Sequence, residues 1–386
     1  MKYPVAIWML AIGAFAIGMT EFVIMGLLSN VARDFGVTVS DAGQLITGYA
    51  LGVAIGGPIL VMLTIKWNRK YLLLALMLIF IIGNVAAAFS PNYGVMLVSR
   101  IITSLAHGSF FGIGSILAAS MVRPEKRASA MALMFMGLSL SNILGVPFGT
   151  LIGQNLGWQM TFIIIAIIGL IALIGIVFFV PMTREEVKSS MLNELRILKE
   201  KELWLTLGIT LFGFSGVFAY FTYISTILMN ISHVPEHFIS AMLIIFGVGV
   251  TLGNIYGGKL ADWNLNRALQ IIFITFIVYF VLLYFIQTNP IVMVVGIFLF
   301  GFIGFSMSPS LQLKSTLVSQ DAPTLASTLN QSAFNLGNAL GAFIGGIVVE
   351  SLPLQYLSLI APILTAIGLI LLSINIAINK KASREA

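Results

Sequence analysis

The sequence predicts an all-α membrane protein: twelve transmembrane helices in two pseudo-symmetric six-helix bundles. Three observations lead there. The 386 residues are 59% hydrophobic and only 9% charged, where a soluble domain carries about 25% charged residues. Apolar stretches of about 20 residues, the length that crosses a bilayer as a helix, recur along the whole chain. Short patterns of the first half also return in the second half at a nearly constant offset.

The spans are read as 5–28, 41–64, 71–90, 94–118, 128–153, 158–180, 203–228, 238–260, 268–287, 291–313, 325–349 and 354–378. The first lacks a small-residue cleavage site before Glu21 and exceeds a signal-peptide core, so it reads as a retained helix. With the N-terminus inside, 18 of the 20 Lys and Arg fall in inner loops or tails, Lys314 among them. Arg33 alone lies outside, and Arg100 is within a span. The positive-inside rule then places both termini in the cytoplasm of a multi-pass cell-membrane protein. The net charge of +6 follows from the same bias and implies no nucleic-acid partner.

The longest polar stretch, 182–202, reads as a solvated cytoplasmic linker. It separates an N-terminal bundle, 1–181, from a C-terminal bundle with a short tail, 203–386. Asn142-Ile-Leu-Gly145-x-x-x-Gly149 in span five returns as Asn338-Ala-Leu-Gly341-x-x-x-Gly345 in span eleven, offset by 196. Gly52-x-x-x-Gly56 in span two returns as Gly249-x-x-x-Gly253 in span eight, offset by 197. Small residues four apart let helices approach closely. The shared offset adds the argument for a duplicated six-helix unit, a plan in which substrate binds near the midplane at the repeat interface.

Composition narrows the chemistry. Cysteine is absent and histidine numbers three, which argues against most nucleophilic and metal enzymes, and no Walker-type phosphate loop is present. We therefore expect no enzyme, no cofactor and no bound metal. His233 and His237 flank Glu236 in an outer loop, a spacing too weak for a metal site. A non-transporting receptor or scaffold would need a signalling domain, and a polar stretch of about 20 residues reads more readily as a linker.

Charges inside the spans carry the functional signal. A carboxylate in hydrocarbon costs roughly 3 kcal/mol or more, so such residues face polar cavities and serve function. Glu21 in span one and Arg100 in span four both fall roughly 10 Å below the outer edge, at 1.5 Å per residue. They either pair, holding helices one and four, or face a shared cavity. Burial and a nearby arginine act on a carboxylate in opposite directions, so Glu21 is the candidate proton or cation-substrate carboxylate and Arg100 its electrostatic partner. His107 lies at i+7 from Arg100, on about the same face, and is a candidate proton relay.

Asn142 and Asn338 occupy equivalent central positions, and Gln331, Asn335 and Asn338 share one helix face. These amides either bond neighbouring helices or line a polar substrate cavity. Tyr49 and the span-seven aromatics, with Tyr220 and Tyr223 foremost, are candidate ligand contacts, with lipid or helix packing as the alternative. Asp34, beside Arg33, and Asp41 fall in the first outer loop.

Longer motifs resemble a known family. Thr20-Glu21-Phe22-Val23 through Leu28, and Ala106-His107-Gly108-Ser109-Phe110-Phe111, resemble bacterial sugar-efflux, arabinose-efflux-permease-like and purine-efflux members of the major facilitator superfamily, in its twelve-helix drug:proton antiporter branch. Leu97-Val98-Ser99-Arg100 is similar to that family's arginine motif, with Ser104 a mild departure. Gly145-Val146-Pro147-Phe148-Gly149 resembles the antiporter motif of exporters. Gly258-Lys259-Leu260-Ala261-Asp262, with Arg267, resembles the cytoplasmic gating loop. Its first-half counterpart keeps Arg69 and Lys70 but has Ile65 at the expected Asp.

The resemblance implies a proton-coupled antiporter, monomeric in the bilayer. It would export small organic molecules by alternating access, driven by the proton gradient. Drugs are the leading substrate class. Sugars such as arabinose, or purines and nucleosides, are the alternative.

Overall fold

A computed structural model describes residues 3–64, 67–123, 127–182, 195–318 and 323–385. Among the described residues, twelve helices are long and apolar enough to cross a membrane, and no strand occurs. Ile65 and residues 183–194 of the expected linker lie outside the described residues.

Span one is α1, Val5–Phe35. Span two joins α2, Val39–Leu51, through a π-helical stretch, Gly52–Gly56, to α3, Gly57–Leu63. Spans three and four are α4, Arg69–Ala88, and α5, Tyr93–Ser120. Span five joins α6, Arg127–Leu140, through a second π-helical stretch, Ser141–Gly145, to α7, Val146–Leu156. Span six is α8, Trp158–Phe179. Span seven is α9, Lys201–Phe221, continued by the short α10, Ile224–Asn230. The last five are α11, Ile239–Trp263; α12, Leu265–Ile286; α13, Pro290–Val318; α14, Pro323–Ser351; and α15, Leu357–Glu385.

Each π-helical stretch lies just before a proline, Pro58 or Pro147. Inside a helix the proline ring meets the carbonyl four residues back. For Pro58 that carbonyl belongs to Ala54 and for Pro147 to Ile143, and each lies within the widened stretch. A single π turn opens the space locally, a feature frequent at functional sites.

Several ends differ from the sequence reading. α1 continues seven residues past Leu28 because its polar residues there are satisfied. Asn30 Nδ2 donates to Glu236 Oε1 at 2.8 Å, and Trp158 Nε1 donates to Asp34 Oδ2 at 2.8 Å. Asp34 is therefore a helix residue bonded to Trp158, not half of a loop ion pair. Gly36, at φ 64°, ends the helix in the left-handed conformation, where glycine has no Cβ penalty. Asp41 is likewise no plain loop residue, since it completes a capping box with Thr38 at the start of α2. Lys314, assigned to a loop by the sequence, lies inside α13 and is 5% exposed.

The chain forms two compact units, Met1–Glu186 with Glu236–Ile244, and Val187–Pro235 with Ile245–Ala386. In the first, α1 is the central helix, packed on α6, α7 and α8, and every residue from Ala16 to Leu28 is buried. In the second, α9 holds the same place against α14 and α15.

The repeated glycines make equivalent contacts in each unit. A side-chain carbon on Gly52 or Gly56 would overlap Ser104 or Leu105 of α5; one on Gly249 or Gly253 would overlap the α13 backbone at Phe298 or Phe302. Gly145 faces Phe15 and Met19 of α1, and Gly341 faces Ser215 and Ala219 of α9. Met19 and Ser215 are themselves 196 positions apart. The sequence repeat is thus a repeat of helix packing.

Candidate functional site

The first unit gathers its charges around the middle of α1. α5 is started by Asn92, whose side chain accepts from Val95 N. Two turns in, α5 presents Arg100, whose Nη1 donates to the Thr20 carbonyl at 2.6 Å and lies 3.4 Å from Thr20 Oγ1. Thr20 Oγ1 donates in turn to Asn84 Oδ1 at 2.7 Å, and Asn84 Nδ2 donates to the Phe80 carbonyl at 2.8 Å. The guanidinium carbon stands 4.2 Å from the centroid of the Tyr49 ring. The Tyr49 hydroxyl and His107 Nδ1 share a hydrogen bond of 3.2 Å, and His107 Nδ1 is 3.9 Å from Glu21 Oε2. Glu21, Tyr49, Arg100 and His107 therefore form one cluster drawn from spans one, two and four.

Its electrostatics are unusual. Arg100 is fully buried, and its Nε and Nη2 have no hydrogen-bond partner. Glu21 is 8% exposed. Among the described residues it accepts no hydrogen bond and makes no ion pair with Arg100; its only cationic neighbour within 4 Å is His107, when that ring is protonated. Buried charges are normally paired and hydrogen-bonded. Here an acid and a base sit in one cluster without closing on each other. An arginine fork with two empty donors is preorganised for a carboxylate, which it binds bidentately.

The remaining candidates are placed as follows. Asn142, in the second π-helical stretch, is buried and donates to the Leu138 carbonyl at 3.2 Å. In the second unit, the Tyr220 hydroxyl donates to Gln287 Oε1 at 3.3 Å and the Tyr223 hydroxyl to the Ala342 carbonyl at 2.9 Å. Both rings are fully buried, and both hydroxyls bond protein. Gln331 is exposed, and its carbonyl accepts from Asn335 Nδ2 at 3.0 Å. The Oδ1 atoms of Asn335 and Asn338 are buried and unbonded.

Asn84 and Asn330 were not singled out in the sequence, yet both anchor buried networks. Asn330 accepts from Thr210 at 2.7 Å and donates to Gln312 at 2.8 Å. The argument applied to Asn142, an amide in an apolar span, would have found them.

Of the motif residues, Gly145 and Gly149 set the packing of span five on α1, and Pro147 is buried in the first turn of α7. A Cβ on Gly149 would come within 2.7 Å of both Met19 and Val23. Gly258 has open space at its Cβ position. Asp262 and Arg267 are exposed at the junction of α11 and α12, and neither joins an ion pair among the described residues.

The Major Facilitator Superfamily model matches residues 10–320 and 224–385. The chain belongs to the major facilitator superfamily. It is 40% identical to the inner membrane transport protein YdhP of Escherichia coli K12 over 372 residues, covering 96% of each chain. It is 31% identical to a probable sugar efflux transporter of Helicobacter pylori G27, covering 95% of this chain and 93% of the relative. A chloramphenicol resistance protein of Streptomyces lividans is 28% identical, with 88% of each chain covered. Among solved structures, a mutant of the nucleoside transporter NupG aligns with a TM-score of 0.76 at 14% identity, over 96% of this chain and 99% of that one. At that identity the likeness shows the fold alone.

As a superfamily transporter the chain is a multi-pass membrane protein, and a small-molecule substrate fits it. No catalytic family is indicated. Within the superfamily fold, the charged cluster occupies the most deeply buried stretch of α1.

Proposed function

We infer that the protein is a proton-coupled exporter of small organic molecules, with Glu21 as the group that binds the proton. The observation that carries this reading is the open pair: Glu21 has no hydrogen bond, and Arg100 keeps two unbonded donors in the same buried cluster. The arrangement suits a neutral, protonated Glu21. When Glu21 loses its proton, its carboxylate gains a bidentate partner by turning to the empty Arg100 edge. Proton binding and pairing with Arg100 then exclude each other, and this gives the site two discrete states.

Alternating access requires such a bistable element. Protonation from the outer side opens the pair, and release toward the cytoplasm closes it. In this reading His107, 3.9 Å from Glu21 and hydrogen-bonded to Tyr49, passes the proton. Export is the direction favoured by the sugar-efflux and chloramphenicol-resistance relatives.

Drugs lead as substrates, and aromatic rings around the cluster supply apolar contact. His107 and Phe111 stand 5.3 Å apart, and Phe111 stacks on Phe135 at 5.4 Å. A sugar is the second reading, favoured by the buried amides Asn335 and Asn338.

The test is proton release or uptake by the purified protein on adding drugs, sugars and purines, with Glu21→Gln alongside. A ligand-triggered signal lost in Glu21→Gln is expected. A full signal in the mutant moves the proton elsewhere and overturns the assignment.

A further inference from the structure

A second charged site lies in the second unit, apart from the Glu21 cluster. Lys314, near the end of α13, is 5% exposed. Its Nζ donates to Asn375 Oδ1 at 2.7 Å and Asn266 Oδ1 at 3.2 Å. A lysine has three donors, and among the described residues the third has no acceptor. Both partners are neutral amides, and no carboxylate forms an ion pair with it. Glu202 acts on the ammonium electrostatically but not as a contact ion pair, so an anionic oxygen placed on Nζ would relieve the cost of its burial.

The lysine faces a cavity of about 220 Å³ lined by Glu202, Leu265, Asn266, Lys314, Leu317, Val318 and Asn379. Glu202 is exposed at its rim, and one carboxylate oxygen accepts from Asn379 Nδ2 at 2.7 Å. The other oxygen has no partner among the described residues. The cavity therefore offers a cation inside, a carboxylate at the mouth, and an apolar wall of Leu265, Leu317 and Val318. It sits where α9 and α12 begin and where α13 and α15 end. The basic-residue count assigns that end to the cytoplasm, the side of the inner-leaflet headgroups.

We propose that this cavity binds a phospho-amine group, with the phosphate on Lys314 and the ammonium on Glu202. A simple anion would meet Glu202 as a repulsive neighbour. A simple cation would meet Lys314. Only a ligand carrying both signs a few bonds apart satisfies both ends. The group is available either as the phosphoethanolamine head of an inner-leaflet lipid or as a soluble phosphoethanolamine ester. A primary ammonium donates hydrogen bonds to the carboxylate, whereas a quaternary one has none to give.

The experiment is native mass spectrometry of the full-length protein. It is titrated with phosphatidylethanolamine, phosphatidylcholine and phosphatidylglycerol of equal chains, and separately with glycerophosphoethanolamine. A charge-assisted hydrogen bond is worth about 1.5–3 kcal/mol, so the ethanolamine lipid should bind roughly tenfold or more tighter than the other two. Glu202→Gln keeps the Asn379 contact on an exposed side chain and should level ethanolamine with glycerol headgroups. Lys314→Gln should weaken both. Wild-type binding of glycerophosphoethanolamine as tight as that of the lipid identifies a soluble ligand; binding by the lipid alone identifies the membrane. Absence of headgroup preference in the wild type overturns the proposal, as does an unchanged preference in Glu202→Gln or unchanged affinity in Lys314→Gln.

Discussion

Arg100 binds the backbone carbonyl of Thr20, one residue before Glu21, at 2.6 Å, and leaves Glu21 itself unpaired. The guanidinium is thereby fixed against α1 while its other edge stays open. That edge needs a planar fork, which lysine lacks. Arg100→Lys keeps the charge and loses both the fork and the stacking on Tyr49. Proton-coupled flux into liposomes should fall at least about tenfold, the scale of one charge-assisted hydrogen bond. Flux at the wild-type level in Arg100→Lys would show that charge alone suffices.

Tyr49 makes two separable contacts. Its ring lies 4.2 Å from the Arg100 guanidinium, and its hydroxyl meets His107. A desolvated cation–π contact is worth about 2 kcal/mol, and a hydrogen bond about 1 kcal/mol. Thermal unfolding in detergent should show a small loss for Tyr49→Phe and a clearly larger one for Tyr49→Leu. Proton-coupled flux should follow the same order if the ring orients Arg100. Equal behaviour of the two variants would remove the ring from the account.

The close packing of α6 on α1 makes a steric prediction. A Cβ at Gly137 would overlap the Ala11 carbonyl, and a backbone cannot move aside as a flexible side chain can. Gly137→Val should therefore destabilise the protein by more than the usual overpacking cost of about 1–3 kcal/mol. Gly112 of α5 is the control, because nothing lies within 4 Å of its Cβ position. Gly112→Ala should leave stability unchanged or raise it by up to about 1 kcal/mol, the entropic cost of a mid-helix glycine. Melting curves of both variants decide the matter, and a tolerated Gly137→Val would mean that α6 is not held this closely to α1.

The sequence made the twelve spans legible because hydropathy and basic-loop bias are set by the bilayer and need no tertiary information. It singled out Glu21 and Arg100 because a charge in hydrocarbon stands out, and His107 because it lies at i+7 from Arg100. It hid what depends on partners far along the chain. Asp34 reads as a loop residue until Trp158 is brought against it. Lys314 read as a loop cation because a lysine near a span end usually is one, and its amides, Asn266 and Asn375, lie 48 and 61 positions away. The interruption of span seven between Phe221 and Ile224 carries neither proline nor glycine, so no local signal marked it.

The last prediction sets stability against function in the second unit. Asn338 is 5% exposed, and its Oδ1 has no partner. An orphaned buried acceptor costs about 1–3 kcal/mol, a cost that packing alone does not explain. A substrate with a hydroxyl or amine donor would satisfy it. Asn338→Leu removes the orphan and should raise the melting temperature of the ligand-free protein. The same change should weaken binding of donor-bearing substrates and leave purely apolar ones unaffected. A fall in stability would instead make Asn338 a helix-packing residue, since an amide whose only function is structural cannot be replaced by leucine at a profit.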